Sequence, residues 1–516
     1  MILYKKIFNK NPALLTNIIF SFFPISFILG SLIVNLNTLA FCCLGIFHLK
    51  SKILKIKYDF SIKVIFLFFC IILLSTSISF VEALYLEKDL YNNLENLIKS
   101  LAFFRFFLML IIICRLSELK ILEFKYFFVS ASICALFLSL DVIFQYSFGF
   151  DIIGLKGNIY HNSGFFGEEL VAGGFIRNFS FFSIFFIYSF QEKKNKFPFI
   201  LTVIAICVLG TGIMLSGNRM QLPLFLLGLL VVFLLNNKFK KIIFISTLSL
   251  LLIFQLISFN DKVIKVYFDT YIGHAQNIVI GMFRFAQNNN EEKNKKDKDT
   301  GSNFSVYGEE TTNPKLLKLK EDFGECKITT QNFIKELQKL GIVSQEKIDH
   351  HLRRFGEKKT VSIWSSHDTK SGYIKLFYTA LDTWKKNKIF GNGIKSFRAD
   401  CLEFNFCEIK AQKENRACSN HPHNYYLEIL TEMGILGILI TLVIATLFLI
   451  FIFKNLKLFR KNNLENLILL AATTSLILET FPIKSTGSIF TTNSATYLIL
   501  ICAIVLSYKK IFSLKS

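Results

Sequence analysis

Apolar stretches about as long as a bilayer is thick recur along this chain and limit what it can fold into. Runs of roughly 17 to 25 apolar residues, with shorter ones allowed between basic flanks, predict about twelve transmembrane helices. Phenylalanine alone supplies 59 of the 516 residues, and 52% of the chain is hydrophobic. The predicted spans are centred near Phe23, Leu44, Ile71, Leu108, Ala135, Ile184, Val208, Leu229, Ser249, Ile440, Leu470 and Ile499. We therefore predict an all-α integral membrane protein.

The positive charge of the chain, formally +22, sits mostly in short clusters between the apolar runs. Nucleic-acid binding requires basic residues gathered on a soluble face, so this distribution argues against a nucleic-acid partner. Lysine and arginine flanks are retained in the cytoplasm. Connections rich in these residues alternate with poor ones, the rich ones starting at Lys50, Arg115, Lys193, Lys238, Lys454 and Lys509. This alternation predicts that both termini are cytoplasmic.

One connection on the predicted outer side is far longer than the others and divides the chain into three parts. An N-terminal membrane domain of about nine spans (1–258) precedes a periplasmic loop domain (259–420), and a C-terminal membrane domain of about three spans (421–516) follows it. The low-complexity charged segment 287–303 predicts a disordered insert in the loop. Apolar spacing over Asn332–Leu340 and Ile374–Trp384 predicts short amphipathic helices there.

Four cysteines fall in this outer loop: Cys326, Cys401, Cys407 and Cys418. The outer side of a bacterial inner membrane is oxidising, so we expect at least one disulfide that tethers the segment before His421. Sequence spacing does not choose among the possible pairings. A zinc site is the alternative, but no C-x-x-C spacing supports it.

The stretch HPHNYYLEILTEMGILG begins at His421, directly before the tenth predicted span. Asn424 is a favourable N-cap, so we predict that this helix begins at Tyr425. His423 would then lie at the positive end of the helix dipole, which lowers the pKa of the imidazole and attracts anions. The pattern favours a neutral histidine base near pH 7. An interfacial histidine bonded only to headgroups or loop backbone, and a metal pair with His421, remain alternatives.

Glu428 and Glu432 lie one turn apart on the same predicted helix. A carboxylate inside a membrane span is energetically costly and is therefore a candidate functional residue. The alternative is a solvated rim at the start of the span.

Three arginines on or near the predicted outer side are candidates for phosphate binding. Arg219, in the short connection LSGNRMQLP, breaks the positive-inside pattern, and a guanidinium binds phosphate in a bidentate manner. Arg177 lies inside an apolar segment near its outer end, where it either binds phosphate or forms a helix-to-helix ion pair, for example with Glu168 or Glu169. Arg398 follows the glycine turn FGNGI and is either a phosphate ligand or a plain surface arginine. Together with a neutral histidine, these residues suit a lipid-linked pyrophosphate at the membrane surface.

Three stretches resemble the bacterial O-antigen ligase and O-antigen polymerase superfamily. They are the histidine stretch from His421, the SGNRM turn around Arg219 and the pattern W..N.IFGNGI..F from Trp384 to Phe397. The likeness is best over residues 211–437. It implies a glycosyltransferase of the bacterial inner membrane, which takes a glycan from undecaprenyl pyrophosphate in the periplasm and inverts the anomeric centre. Neither a nucleotide sugar, a cofactor nor a metal is implied.

The resemblance also implies roles for individual residues. His423 is similar to the catalytic histidine of the family, and Arg219 to its pyrophosphate-contacting arginine. Arg398 and Arg177 are further candidates for the donor pyrophosphate. Supporting positions are His421, Asn424, Glu428 and Glu432. One departure is Tyr373, where many members carry an arginine before the loop tryptophan. Either Arg398 or the region of His367 takes that phosphate contact, or the donor is held differently.

Ligase and polymerase share this chemistry and differ in the acceptor, which is a lipid A core sugar for a ligase and another lipid-linked glycan for a polymerase. A protein O-glycan ligase is a third possibility. The single dominant outer loop favours a ligase. A polysaccharide transporter would also have many spans, but we expect an internal repeat in that class, and the chain shows no convincing one.

Overall fold

A computed structural model describes residues 12–50, 59–86, 90–157, 161–167, 169, 171–190, 197–260, 304–306, 309–311, 372–404 and 417–513. The helices of the first half are α1 (Pro12–Ser21), α2 (Phe23–Leu29), α3 (Ser31–Leu49), α4 (Phe60–Tyr85), α5 (Leu90–Glu118), α6 (Phe124–Phe148), α7 (Ala172–Ser189), α8 (Phe197–Leu215), α9 (Gln221–Leu235) and α10 (Lys240–Asn260). Short 3-10 turns cover Gly164–Phe166 and Asn237–Phe239.

The second half contains α11 (Gly372–Lys386), α12 (Phe397–Phe404), α13 (Tyr425–Lys454), α14 (Leu456–Phe459), α15 (Leu464–Glu479) and α16 (Thr492–Ser513). A small antiparallel hairpin joins β1 (Phe304–Val306) to β2 (Glu309–Thr311), with Phe304 opposite Thr311. The described residues are thus almost wholly helical, as the sequence predicts.

Every predicted span centre lies within a helix. Seven candidate spans in the described ranges are long and apolar enough to cross a membrane: Ser31–Leu49, Phe60–Tyr85, Asn92–Glu118, Phe124–Phe148, Phe197–Leu215, Asn237–Ser258 and Tyr425–Lys454. Two shorter apolar helices cover Gln221–Leu235 and Thr492–Tyr508. The remaining centres lie in α2, α7 and α15. The count of about twelve spans and the division into three domains stay predictions.

Helices α7 and α15 lie at the centre of the bundle. Most residues of both helices are buried, and α7 packs against α6, α8 and α15. Phenylalanine rings fill much of the space between them, and the side chains of Phe179, Phe182 and Phe185 are almost fully buried. Many leucines of the flanking helices are exposed, as expected for side chains that face lipid. The central helices carry Arg177 and Glu479.

Helix α13 is broken at Gly434, which has a left-handed φ of 64°. Residues 388–393 run alongside the break. Their backbone forms hydrogen bonds with the N–H and C=O groups of α13 that lose their helical partners at the break. The hydrogen bonds are Ile435 N to Lys388 O (2.9 Å), Leu436 N to Ile389 O (3.3 Å), Asn392 N to Thr431 O (3.0 Å) and Gly393 N to Glu432 O (3.0 Å). A Cβ at Gly434 would lie 2.3 Å from the carbonyl oxygen of Ile389. This approach requires glycine at position 434.

A small apolar core, separate from the main one, supports the chain before α13. Leu376 and Ala380 of α11 pack with Phe397 and Cys401 of α12, and a disulfide joins Cys401 to Cys418. The predicted helix Ile374–Trp384 and the predicted tether before His421 are therefore confirmed. The insert 287–303, the helix predicted at Asn332–Leu340, and the residues Cys326, Cys407 and His367 lie outside the described residues.

Candidate active site

Asn424 caps helix α13, as predicted. It has extended backbone angles, and its Oδ1 accepts hydrogen bonds from the backbone N–H groups of Tyr426 (3.0 Å) and Leu427 (3.2 Å). His423, one residue earlier, has a φ of 54°. This left-handed conformation is uncommon for a residue other than glycine, and such strain is often found at functional sites. No pattern in the sequence predicted this backbone conformation.

The two histidines of the motif lie beside each other and share one acceptor. Their ring centroids are 4.2 Å apart. Nε2 of His421 and Nδ1 of His423 each lie 3.2 Å from the carbonyl oxygen of Thr486. A carbonyl oxygen only accepts hydrogen bonds, so both of these ring nitrogens carry protons. In neutral His423 this assignment leaves Nε2 as the basic nitrogen, 3.4 Å from Oγ of Ser419.

Burial lowers the pKa of both imidazoles. The pKa of His421 falls to about 4, because burial is reinforced by the neighbouring His423 and opposed by the Thr486 carbonyl. Burial also lowers the pKa of His423, and the same carbonyl opposes the shift. The predicted direction is confirmed, but the main cause is burial rather than the helix dipole that the sequence suggested. His423 is thus a neutral base at pH 7.

The loop Thr480–Thr491, between α15 and α16, forms the other half of the site. The N–H of Thr486 donates to the carbonyl oxygen of His423 (2.9 Å), and Nδ2 of Asn424 donates to that of Pro482 (2.7 Å). The hydroxyl of Tyr426 donates to Thr480 O (2.5 Å). Sequence reasoning missed this loop. Its one signal was Lys484, a lysine in a short connection on the predicted outer side.

A buried ion cluster lies beneath this loop, centred on Glu479. Oε2 of Glu479 is 2.7 Å from both Nη2 of Arg177 and Nζ of Lys484, and Oε1 accepts from the hydroxyl of Tyr425 at 2.6 Å. The side chains of Arg177, Glu479 and Lys484 are only 3%, 7% and 4% exposed. Arg177 therefore takes part in a helix-to-helix ion pair, one of its two predicted roles, with Glu479 rather than with Glu169. Its role in pyrophosphate binding stays a prediction.

Arg219 lies on the turn between α8 and α9, close to the start of α7. A Cβ at Gly173 would lie 2.3 Å from Oγ of Ser216, which shows how closely the turn approaches α7. Arg219 itself is exposed. Two residues later, Oε1 of Gln221 accepts a hydrogen bond from Nε of Arg177 (3.0 Å). The Arg219 turn is thus connected to the ion cluster. Through that cluster it is connected to the Thr480–Thr491 loop, which contacts His423.

The connection between α6 and α7 lies beside this turn. Nδ2 of Asn162 donates to the carbonyl oxygen of Leu215 at 2.9 Å. Burial, and secondarily the charge of Arg219, lower the pKa of His161. His161 is therefore a further neutral histidine, and it lies close to the arginine turn.

Glu428 and Glu432 are buried, only 2% and 1% exposed, so the solvated-rim interpretation is wrong. Oε2 of Glu428 accepts from the N–H of Ile489 (2.8 Å), and Oε2 of Glu432 accepts from that of Lys395 (2.6 Å). The two carboxyl groups thus hold two different non-helical segments against α13. The exposed Arg398 belongs to the second segment, because its Nε donates to the carbonyl oxygen of Lys395 (3.2 Å).

Within the described ranges, no three histidine, cysteine, aspartate or glutamate side chains form a group that could hold a metal ion.

The side chain of Tyr373 lies outside the described residues, so the structure does not test which residue replaces the expected loop arginine.

Residues 200–442 match the sequence model of a protein family described as O-Antigen ligase. The matched region begins in α8 and ends within α13, so it contains Arg219, Arg398 and the two histidines. No curated protein matches the chain in a direct sequence comparison.

Proposed function

We propose that this chain is an O-antigen ligase-like transferase of the glycosyltransferase type. The match of residues 200–442 to the family described as O-Antigen ligase supports this proposal. The transferase would move a glycan from undecaprenyl pyrophosphate to a lipid A core sugar at the periplasmic face of the bacterial inner membrane. The main support is the geometry of His423, whose Nδ1 faces the Thr486 carbonyl and whose Nε2 is therefore basic.

The proposed reaction is a displacement at the anomeric carbon of the donor. Nε2 of His423 takes the proton of an acceptor hydroxyl, and the hydroxyl oxygen forms a bond to the anomeric carbon. The bond from that carbon to the pyrophosphate oxygen breaks, so undecaprenyl pyrophosphate leaves with the electron pair. Attack from the face opposite the leaving group inverts the anomeric configuration. The proton remains on His423 until solvent or the departing phosphate removes it.

Arg219 is the first candidate for the leaving pyrophosphate. Its turn is fixed against α7 at Gly173, and its exposed guanidinium suits bidentate binding of a phosphate. Arg398 is also exposed. Arg177 ranks below both, because Nη2 and Nε of its guanidinium already bind Glu479 and Gln221.

Glycan profiling in the native host tests the function. We would compare the intact gene, a deletion, His423→Ala and Arg219→Lys, and assay lipid-linked intermediates in parallel. A ligase predicts loss of polymer from lipopolysaccharide while long chains accumulate on the carrier. Accumulation of single repeat units would instead identify a polymerase, and glycan missing only from protein would identify a protein ligase.

The His423→Ala variant decides whether the chain is an enzyme of this kind. General base catalysis contributes about 10²- to 10⁴-fold to the rate, so we expect its transfer to fall by that amount. Arg219→Lys keeps the charge but loses bidentate geometry, so it should retain part of the activity. A wild-type glycan profile from His423→Ala would rule out the proposed base and favour a transporter.

A further inference from the structure

Lys484 is a buried lysine in the Thr480–Thr491 loop, and the proposed reaction does not use it. Its Nζ is 2.7 Å from Oε2 of Glu479 and lies 5.3 Å from the centroid of the Tyr425 ring. Its side chain is 4% exposed. Burying an ammonium group is unfavourable unless the group is paired, and charged groups at membrane depth commonly have a function.

The position of Lys484 in the chain connects it to the histidine base. Thr486, two residues later, binds His423 twice, through its N–H to the carbonyl oxygen and through its own carbonyl to Nδ1. The carbonyl oxygen of Lys484 also accepts from Nδ2 of Asn424 at 3.4 Å. The ammonium of Lys484 is therefore a fixed anchor only two residues from the carbonyl that determines the tautomer of His423.

We infer that Lys484 is a positioning residue for His423. Its ion pair with Glu479 holds the loop so that the Thr486 carbonyl faces Nδ1, and Nε2 remains the basic nitrogen. This inference rests on the proposed function, because it concerns the same base.

The charges around Lys484 make this anchor dependent on pH. Glu479 on α15, Arg177 on α7 and Tyr425 on α13 face it, so two cations surround one carboxylate. Burial lowers the pKa of Lys484 to about 8, although Glu479 opposes the shift. Above that pH the ammonium loses its proton and the ion pair is lost. We therefore expect transfer to decline as the pH rises through about 8.

Unfolding does not explain such a decline. The pKa of Lys484 is lower in the folded protein than the value of 10.5 for a free lysine. Between these two values the unfolded chain binds more protons than the folded protein, so this group makes folding more favourable as the pH rises. A loss of activity that accompanies constant or rising stability is the distinguishing sign of a positioning role.

The experiment uses the full-length protein in lipid nanodiscs. The donor is the lipid-linked glycan that accumulates in the deletion strain, and the acceptor is lipopolysaccharide core from the same strain. kcat and the KM for donor are measured from about pH 6 to about pH 10, so that the range includes the lowered pKa of Lys484 and stays below that of a free lysine. The variants are Lys484→Arg and Lys484→Met. Lys388→Arg and Lys388→Met, at an exposed lysine, serve as matched controls.

Lys484→Arg keeps its charge throughout this range, so the alkaline decline should move up by at least about one pH unit. Below the lowered pKa of Lys484, Lys484→Met should reduce kcat by about 10- to 100-fold, while the KM for donor changes by less than about twofold. Above that pKa the two kcat values should converge, because the wild type has then lost the same ion pair. Both Lys388 variants should match the wild type.

Two results would overturn the inference: an unchanged alkaline decline in Lys484→Arg, or a wild-type kcat in Lys484→Met below the lowered pKa of Lys484. If Lys484→Met fails to fold, as judged by its elution and thermal unfolding, the profile of Lys484→Arg decides alone. Failure of the proposed function looks different, because His423→Ala would then transfer glycan as well as the wild type does.

Discussion

The two ring nitrogens of His423 have different roles, and a backbone carbonyl assigns them. Thr486 O faces Nδ1, which leaves Nε2 for the acceptor hydroxyl. His421 binds the same oxygen, and its pKa of about 4 keeps it neutral. A neutral His421 places no positive charge beside His423. Proton transfer to His423 is therefore not opposed by charge repulsion from His421. The pair thus contains the proposed base, His423, and a second histidine that remains neutral beside it.

Burial of His423 predicts the acid side of the pH profile. The neutral imidazole is the active form, and burial lowers its pKa, so transfer should be lost only as the pH falls through a value below the ordinary 6.5. The pH dependence of kcat/KM for the wild type measures this value, since that ratio reports the free enzyme. A midpoint at or above 6.5 would contradict the burial argument. His421→Gln is the companion variant, and we expect it to keep the acid midpoint below 6.5.

At the scale of secondary-structure elements, the break in α13 is held by segment 388–393. Gly391 and Gly434 face each other's backbone across the break, and neither leaves space for a side chain. A Cβ at Gly391 would lie 2.4 Å from the carbonyl carbon of Glu432. The motifs FGNGI and EMGILG, which lie far apart in the sequence, therefore form one packed junction.

Gly434→Ala should destabilise the protein more than replacement of a glycine that also has a positive φ but has free space around it. The left-handed conformation alone costs a non-glycine residue about 1–3 kcal/mol, and the contact with Ile389 O adds to this cost. Gly149→Ala is the control, since Gly149 has a φ of 83° and no atom within 4 Å of an added Cβ. Thermal unfolding in detergent compares them. Equal losses in stability would show that the junction tolerates a methyl group.

At the scale of the whole molecule, one buried carboxylate connects the central helices to the site. Glu479 contacts α7 through Arg177, α13 through Tyr425 and the Thr480–Thr491 loop through Lys484. Gln221 extends this network to the Arg219 turn. The candidate base and the candidate phosphate-binding arginine therefore share one polar framework, although their segments are far apart in the chain.

Glu479→Gln should be strongly destabilising, because it leaves Arg177 and Lys484 buried without their counter-charge. Removing one partner of a buried ion pair costs about 3–5 kcal/mol. Thermal or denaturant unfolding in detergent measures the change. Glu123→Gln is the control, since Glu123 forms an exposed pair with Lys125 and surface pairs contribute little. A Glu479→Gln protein as stable as this control would show that the cluster does not hold the helices together.

The features that the sequence predicted depend on neighbouring residues, whereas those that it missed depend on contacts between distant parts of the chain. The helix start at Tyr425 and its cap at Asn424 depend on neighbouring residues, and both are confirmed. The sequence left two roles open for Glu428, because periodicity does not show which face of a membrane helix meets another segment. Thr486 and Glu479 carried no local signal. They act on residues more than fifty positions away, and only the packing of α13, α15 and α16 brings them there.

The break in α13 also bears on how the chain is made. Free backbone groups are costly in a membrane, so a helix that breaks at Gly434 needs its partners at hand as it inserts. Those partners are residues 388–393, which precede α13 in the chain and therefore leave the ribosome first. Residues 388–393 are thus synthesised before α13, so the backbone partners that its break requires are already present when α13 is made.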